Sequence, residues 1–197
     1  MRGGELDGPR AAPGRYEVRL TAAGQTLTRP FEVRKDPRLP TTDEDFARQL
    51  ALLLEIRDQL TSVHDAIARL RAVRDQAKAA GLRAKGTAAE KAIGDAAEAL
   101  ALKLTAVEES LYQTKNRASQ DPLNYPIRLN NKLAALAATV AAADAAPTEQ
   151  AYAVHRELAA LVHAEIAKLE GLLAEDVPAF NRLARDGDVP AVGLPKP

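Results

Sequence analysis

Cysteine is missing from this sequence, which excludes disulfides, thiolate zinc sites and cysteine nucleophiles together. Tryptophan is missing too, and aromatic residues make up only 4% of the chain. Neither sign of charge prevails: 27 basic and 27 acidic side chains cancel and are mixed along the chain. No basic block offers the electrostatic footprint that nucleic acid or an anionic lipid surface requires. No apolar run approaches the roughly 18 residues of a membrane span; the longest, Leu133 to Ala143, is alanine-rich and too short. The opening residues, MRGGELDGPR, hold no apolar signal-peptide core. Taken by themselves, these features describe a cytoplasmic chain, if Met1 is its natural start.

The common catalytic constellations are missing as well. There is no Gly-x-Gly-x-x-Gly, no Walker-type lysine and no serine in a nucleophile elbow. The chain has three histidines. His64 has no carboxylate or histidine three or four residues away, and His155 and His163 lie more than two helical turns apart, so neither arrangement chelates an ion. A half-buried, hydrogen-bonded His155 is the expected alternative. Glu108 with Glu109, and Glu175 with Asp176, are adjacent on helices and diverge by about 100°, whereas acid/base pairs must converge. Solvated helix faces are the expectation for both pairs. No metal, cofactor or catalytic residue is implied.

What the chain does have is alanine, the best helix former, and long apolar periodicities. The mainly α architecture expected from them is an antiparallel up-down four-helix bundle preceded by a two-strand β-hairpin. Residues 1–38 form the hairpin unit, 41–186 the bundle and 187–197 a flexible tail. In the first unit, Tyr16, Val18 and Leu20 alternate with polar residues. After a turn at Ala23 and Gly24, Leu27, Phe31 and Val33 do the same. Pro30 marks the second strand as an edge or a bulge. The stretch Pro13-Gly14-Arg15-Tyr16 is similar to the corner before a late strand of immunoglobulin-like sandwiches, where a Tyr hydroxyl bonds back to the upstream backbone; a plain turn is the alternative.

Helix one is expected from Thr42 or Asp43 to about Ala80. Phe46, Leu53, Leu60 and Ile67 recur every seven residues, interleaved with Ile56, Val63 and Leu70. Leu50 and Leu52 widen that stripe, so this helix should face more than one neighbour. Helix two, from about Thr87 to Lys115, carries Ile93, Ala97, Leu100, Leu104, Val107 and Leu111. Helix three, with Pro126 in its first turn, carries Leu129, Leu133, Leu136 and Val140 to about Asp144. Helix four, after Pro147, runs through His155, Leu158, Val162, Ile166, Leu169, Leu173, Val177 and Phe180, and Pro178 should kink or end it.

One segment stands apart. NRASQDPLNYPIRLNNKLAAL, residues 116–136, concentrates Asn116, Arg117, Gln120, Asp121, Asn124, Tyr125, Arg128, Asn130 and Asn131. Asp121 before Pro122 is a turn former. Arg128 is expected in the first turn of helix three, the electropositive end, where a cation needs a partner. Asn130 and Asn131 are weak helix formers set side by side. These residues form either a structural knot that satisfies the loop's backbone groups or a partner or ligand site; the knot is the favoured of the two.

LYQTKNRASQDPLNYPIRLNNKLAAL resembles the C-terminal region of large bacterial sortilin-like or BNR-repeat (sialidase-type propeller) glycosyl-hydrolase-like proteins. In that family a β-propeller is followed by an immunoglobulin-like module, which GRYEVRLTAAGQTLTRPFEVRKDPR resembles in its last strands, and then by helices. The resemblance spans roughly residues 13 to 185 and is most specific at QDPLNYPIRLNNKLA. It implies that the chain is the tail of a longer exported protein. The propeller and its sialidase-type residues lie outside this sequence, so no catalytic residue carries over. A non-catalytic accessory module is therefore expected, docking on its own propeller or on another protein; the alternative is a free-standing helical adaptor or assembly protein.

Overall fold

A computed structural model of the protein describes residues 8–118 and 120–194. It is mainly helical, with four helices and one two-stranded antiparallel hairpin. Strand β1 (Gly14–Ala22) pairs with β2 (Gln25–Val33), setting Tyr16 opposite Phe31 and Leu20 opposite Leu27. Ala23 and Gly24 both have positive φ, 50° and 77°, as a two-residue hairpin turn with the strands' own twist requires. Counted from that turn, the Glu17–Pro30 pair is a non-hydrogen-bonded one, so the missing N–H of Pro30 faces away from β1 and the ladder loses nothing.

Helix α1 (Asp43–Arg83) is 41 residues long, about 60 Å at 1.5 Å per residue. A capping box starts it: Thr42 Oγ1 accepts from Asp45 N–H at 3.1 Å, and Asp45 Oδ2 accepts from Thr42 N–H at 2.9 Å. Three acidic residues, Asp43, Glu44 and Asp45, complement the electropositive first turn. Helices α2 (Glu90–Leu111) and α3 (Leu129–Val140) follow, and then α4 (Glu149–Gly171). A π-helical turn over Leu172–Asp176 leads from α4 into α5 (Val177–Asp186) without a break in helical backbone angles. The wide turn precedes Pro178 directly, so the fourth helix neither ends at that proline nor leaves the core.

The four helices do not stand side by side in an up-down order. Arg74 of α1 meets Glu108 of α2, and Gly81 packs on Ala97, so α2 descends along the second half of α1. Gln49 donates to Val140 O at 2.7 Å and Ala143 O at 2.6 Å, so α3 descends along the first half. Glu55 meets His155, and Arg69 meets Glu170 at 2.5 Å, so α4 runs parallel to α1. A fourth helix of an up-down bundle would run antiparallel to the first. Instead α2 and α3 follow one another as a single interrupted column between two long ascending ones. Length explains this: a helix of 22 residues covers about 33 Å of the apolar stripe on α1, and the 12-residue α3 covers most of the remainder.

The core runs the length of these columns, from Leu52 and Ile56 through Val63, Leu70, Leu104 and Leu133 to Leu169 and Phe180. It also takes in the residues after α5, which corrects the expectation of a flexible tail for residues 187–194. Val189 and Val192 are buried. Asn181 donates to Val192 O and accepts from Val192 N–H at 2.9 and 2.6 Å. Gln76 pairs in the same two-way fashion with Gly193, at 3.0 and 2.8 Å. Gly187 permits the crossing: a Cβ there would lie 2.7 Å from Ala89 and Ile93 side-chain carbons. Residues 195–197 of the expected tail, and residues 1–7 of the hairpin unit, lie outside the described residues.

Candidate functional site

The polar segment singled out in the sequence is the connection that breaks the α2–α3 column. Helix α2 stops at Leu111, four residues before the expected Lys115, and α3 begins at Leu129 rather than at Pro126. Gln113, which sequence reasoning passed over, closes the excursion at its base. Its side chain is buried; Nε2 donates to Pro126 O at 2.8 Å and Oε1 accepts from Lys115 N–H at 3.2 Å. The chain between 113 and 126 is thereby a compact loop with adjoining ends.

Within the loop Asp121 is the organiser. Its Oδ2 accepts from the backbone N–H groups of Arg117 and, at 2.7 Å, Ala118. Those two backbone bonds, Arg117's the stronger, hold the carboxyl below its ordinary pKa. Asp121 O then accepts from Asn124 and Tyr125 N–H, both at 2.9 Å, across a 3-10 turn over Asp121–Leu123 that opens on Gln120. Asn124 and Gln120 side chains are exposed. Lys115 Nζ lies over the Tyr125 ring, 5.8 Å from its centre.

Arg128 lies one residue outside the first turn of α3, as its N-cap, and donates its backbone N–H to Asn131 Oδ1 at 3.3 Å. Asn130 and Asn131 are both buried. The buried atoms Asn130 Oδ1, Arg128 Nε and Asn116 Oδ1 have no hydrogen-bond partner among the described residues. The expected knot thus divides: Asp121 ties the loop to itself, Asn131 caps α3, and no bond joins Asp121 to Arg128 or Asn130.

A second polar group, expected on a solvated helix face, is buried instead. Glu108 is 2% exposed and receives both Arg71 Nε, at 2.6 Å, and Arg74 Nη1 from α1. Arg74 also donates to Thr105 Oγ1 at 3.1 Å, and the Arg71 guanidinium lies 5.4 Å over the Tyr112 ring. The signal was present in the sequence, since Glu108 follows Leu104 by four residues and precedes Leu111 by three, on the buried seam. Glu109 is exposed, and Asp176 bonds to Lys103. His155 is buried rather than half-buried, and it is not hydrogen-bonded: Nδ1 is 3.6 Å from Glu55 Oε2, beyond bonding distance, and Nε2 has no partner among the described residues.

Among the described residues, no group of three or more His, Cys, Asp or Glu side chains is placed to hold a metal ion, and no helix is long and apolar enough to cross a membrane. Comparison with protein-family models, curated proteins and solved structures finds no match to this chain.

Proposed function

We propose that this chain is a non-catalytic helical accessory module, joined through its hairpin to an immunoglobulin-like β-module of a longer exported protein of the BNR-repeat, sortilin-like kind. The observation that carries the reading is the uncovered apolar face of the hairpin. Val18, Leu20, Leu27 and Phe31 are 55%, 63%, 56% and 48% exposed, and with Tyr16 they share one side of the two strands. A two-stranded hairpin with a bare apolar face is marginal in water and gains stability only from a second layer. Its details fit the end of a sandwich. Tyr16 OH donates to Ala12 O at 2.7 Å, the kind of bond a tyrosine corner makes, which supports reading β1 as the strand after such a corner and β2 as the last. Pro30 leaves β2 unable to bond a further strand at that position, so the sheet continues from the free edge of β1.

The base of the hairpin is tied to the bundle: Lys35 Nζ donates to Thr41 O at 2.5 Å, and Thr41 Oγ1 donates to Asp144 O at 2.6 Å. The helices would then sit in a fixed pose behind the β-module, as a docking body for the protein's own propeller or a partner. Reading the gene upstream of Met1 tests this. The expected result is an open frame encoding further β-strands that runs into residue 1. A stop codon and ribosome-binding site directly before Met1 would overturn it and favour a free-standing adaptor.

A further inference from the structure

The loop that interrupts the α2–α3 column presents apolar and cationic side chains together, although the chain as a whole is neutral. Leu123 is 85% exposed, Ile127 45%, Tyr112 37% and Tyr125 36%. Single exposed apolar residues need no explanation, but Leu123 and Tyr125 belong to one loop and Tyr112 and Ile127 flank the Gln113–Pro126 bond that brings its ends together. Over residues 112–132 the chain carries Lys115, Arg117, Arg128 and Lys132 against a single acid, Asp121. Asp121 Oδ2 is already engaged by the Arg117 and Ala118 amides, and none of the four cations has a carboxylate partner among the described residues.

We propose that this loop is a docking surface for a short acidic segment of a partner protein that carries a large apolar anchor. This rests on the interaction-module reading above and names the surface and the chemistry of its partner. Charge complementarity selects the occupant: four cations without a carboxylate partner among the described residues, on the same stretch of chain as exposed Leu123 and Ile127, call for carboxylates flanking an apolar side chain. The described residues of the loop are tied by their own bonds, so docking costs little further ordering of them, and tyrosine and arginine are the residue types that dominate such contacts. Nucleic acid fits less well, because Lys115 and Arg71 already lie over one face of the Tyr125 and Tyr112 rings, where a base would otherwise stack. A bilayer would ask for a wide basic face, which the balanced charge of the chain does not supply.

The test uses the full chain and a fluorescent synthetic peptide of leucines flanked by glutamates, read by anisotropy. The same peptide with lysines in place of the glutamates, and phosphatidylserine-containing vesicles, serve as alternatives. The acidic peptide should bind and weaken as salt rises. Binding should drop about tenfold or more in both Leu123→Ser and Arg117→Glu, exposed changes that keep the backbone bonds to Asp121. The lysine peptide and the vesicles should not bind. Absence of binding, equal binding of both peptides, indifference to the two variants, or vesicle binding lost in those variants would each overturn the proposal. These outcomes are independent of the reading frame upstream of Met1, so this surface and the β-module junction fail separately.

Discussion

Replacing Glu108 with alanine removes the carboxylate that joins Arg71 and Arg74 of α1 to α2. The Glu108 side chain is 3% exposed, whereas Arg74 is 16% and Arg71 45% exposed. Removing one partner of a buried ion pair costs about 3–5 kcal/mol, because the remaining charge stays desolvated. Arg71 can turn to water and recover its hydration; Arg74 cannot. Glu108→Ala should therefore fall at the lower end, about 3 kcal/mol. In a chain of this size that lowers the melting midpoint by about 6–12 °C, at about 2–4 °C per kcal/mol. Its neighbour Glu109 is exposed, and Glu109→Ala should stay within about 0.5 kcal/mol. Urea titrations followed by far-ultraviolet circular dichroism read both, and unchanged slopes would show that the cost lies in the folded state. Arg74→Ala should cost more than Arg71→Ala, and the Glu108→Ala/Arg74→Ala pair should fall short of its sum by at least about 0.5 kcal/mol. A Glu108→Ala variant as stable as Glu109→Ala would refute the reasoning and put Glu108 in water.

Four further outcomes follow from the same packing. Leu104 is fully buried in mid-seam, so Leu104→Ala should cost about 2–5 kcal/mol in a denaturant titration; an effect no larger than that of Glu109→Ala would mean the face of α2 is misassigned. Amide exchange at Val192 and Gly193 should be slow, since both N–H groups are bonded, to Asn181 and Gln76, and exchange as fast as in a free peptide would show that the crossing is not held. Asp121→Ala and Arg128→Ala should add within about 0.3–0.5 kcal/mol, because no bond links them; a strongly sub-additive double variant would restore a single knot. The Asp45 carboxyl, held at about 2 chiefly by the Thr42 backbone N–H, lies below its unfolded value of about 3.9, so its contribution is complete above that value and disappears as pH falls towards 2. Urea midpoints from pH 5 to 2 should fall less steeply for Asp45→Asn than for the native chain, and parallel acid limbs would remove Asp45 from the account.

The sequence by itself determined the hairpin, the four helices and most of their faces. Alanine content and the spacing of Phe46, Leu53, Leu60 and Ile67 leave α1 no alternative to a long amphipathic helix, and the alternation around Ala23-Gly24 does the same for the hairpin. Such signals are local, because they rest on backbone geometry that repeats every few residues. Arrangement is not local. Four apolar stripes are compatible with four columns or with three, and only the match of lengths along α1 selects three, with α2 and α3 in line. The tail shows the same limit: its prolines correctly forbid helix, but the burial of Val189 and Val192 depends on a groove that exists only once α1, α2 and α5 have met. In the candidate site, the sequence marked the segment from 116 to 131 by its polar composition and could not say which groups join. Gln113 became the clasp because α2 stops beside Pro126, and Glu108 became buried because Arg71 and Arg74 face it from another helix. Polar residues reveal where a chain is unusual; the partners of Gln113 and Glu108 lie 13 and 34 to 37 residues away and are chosen by the tertiary fold.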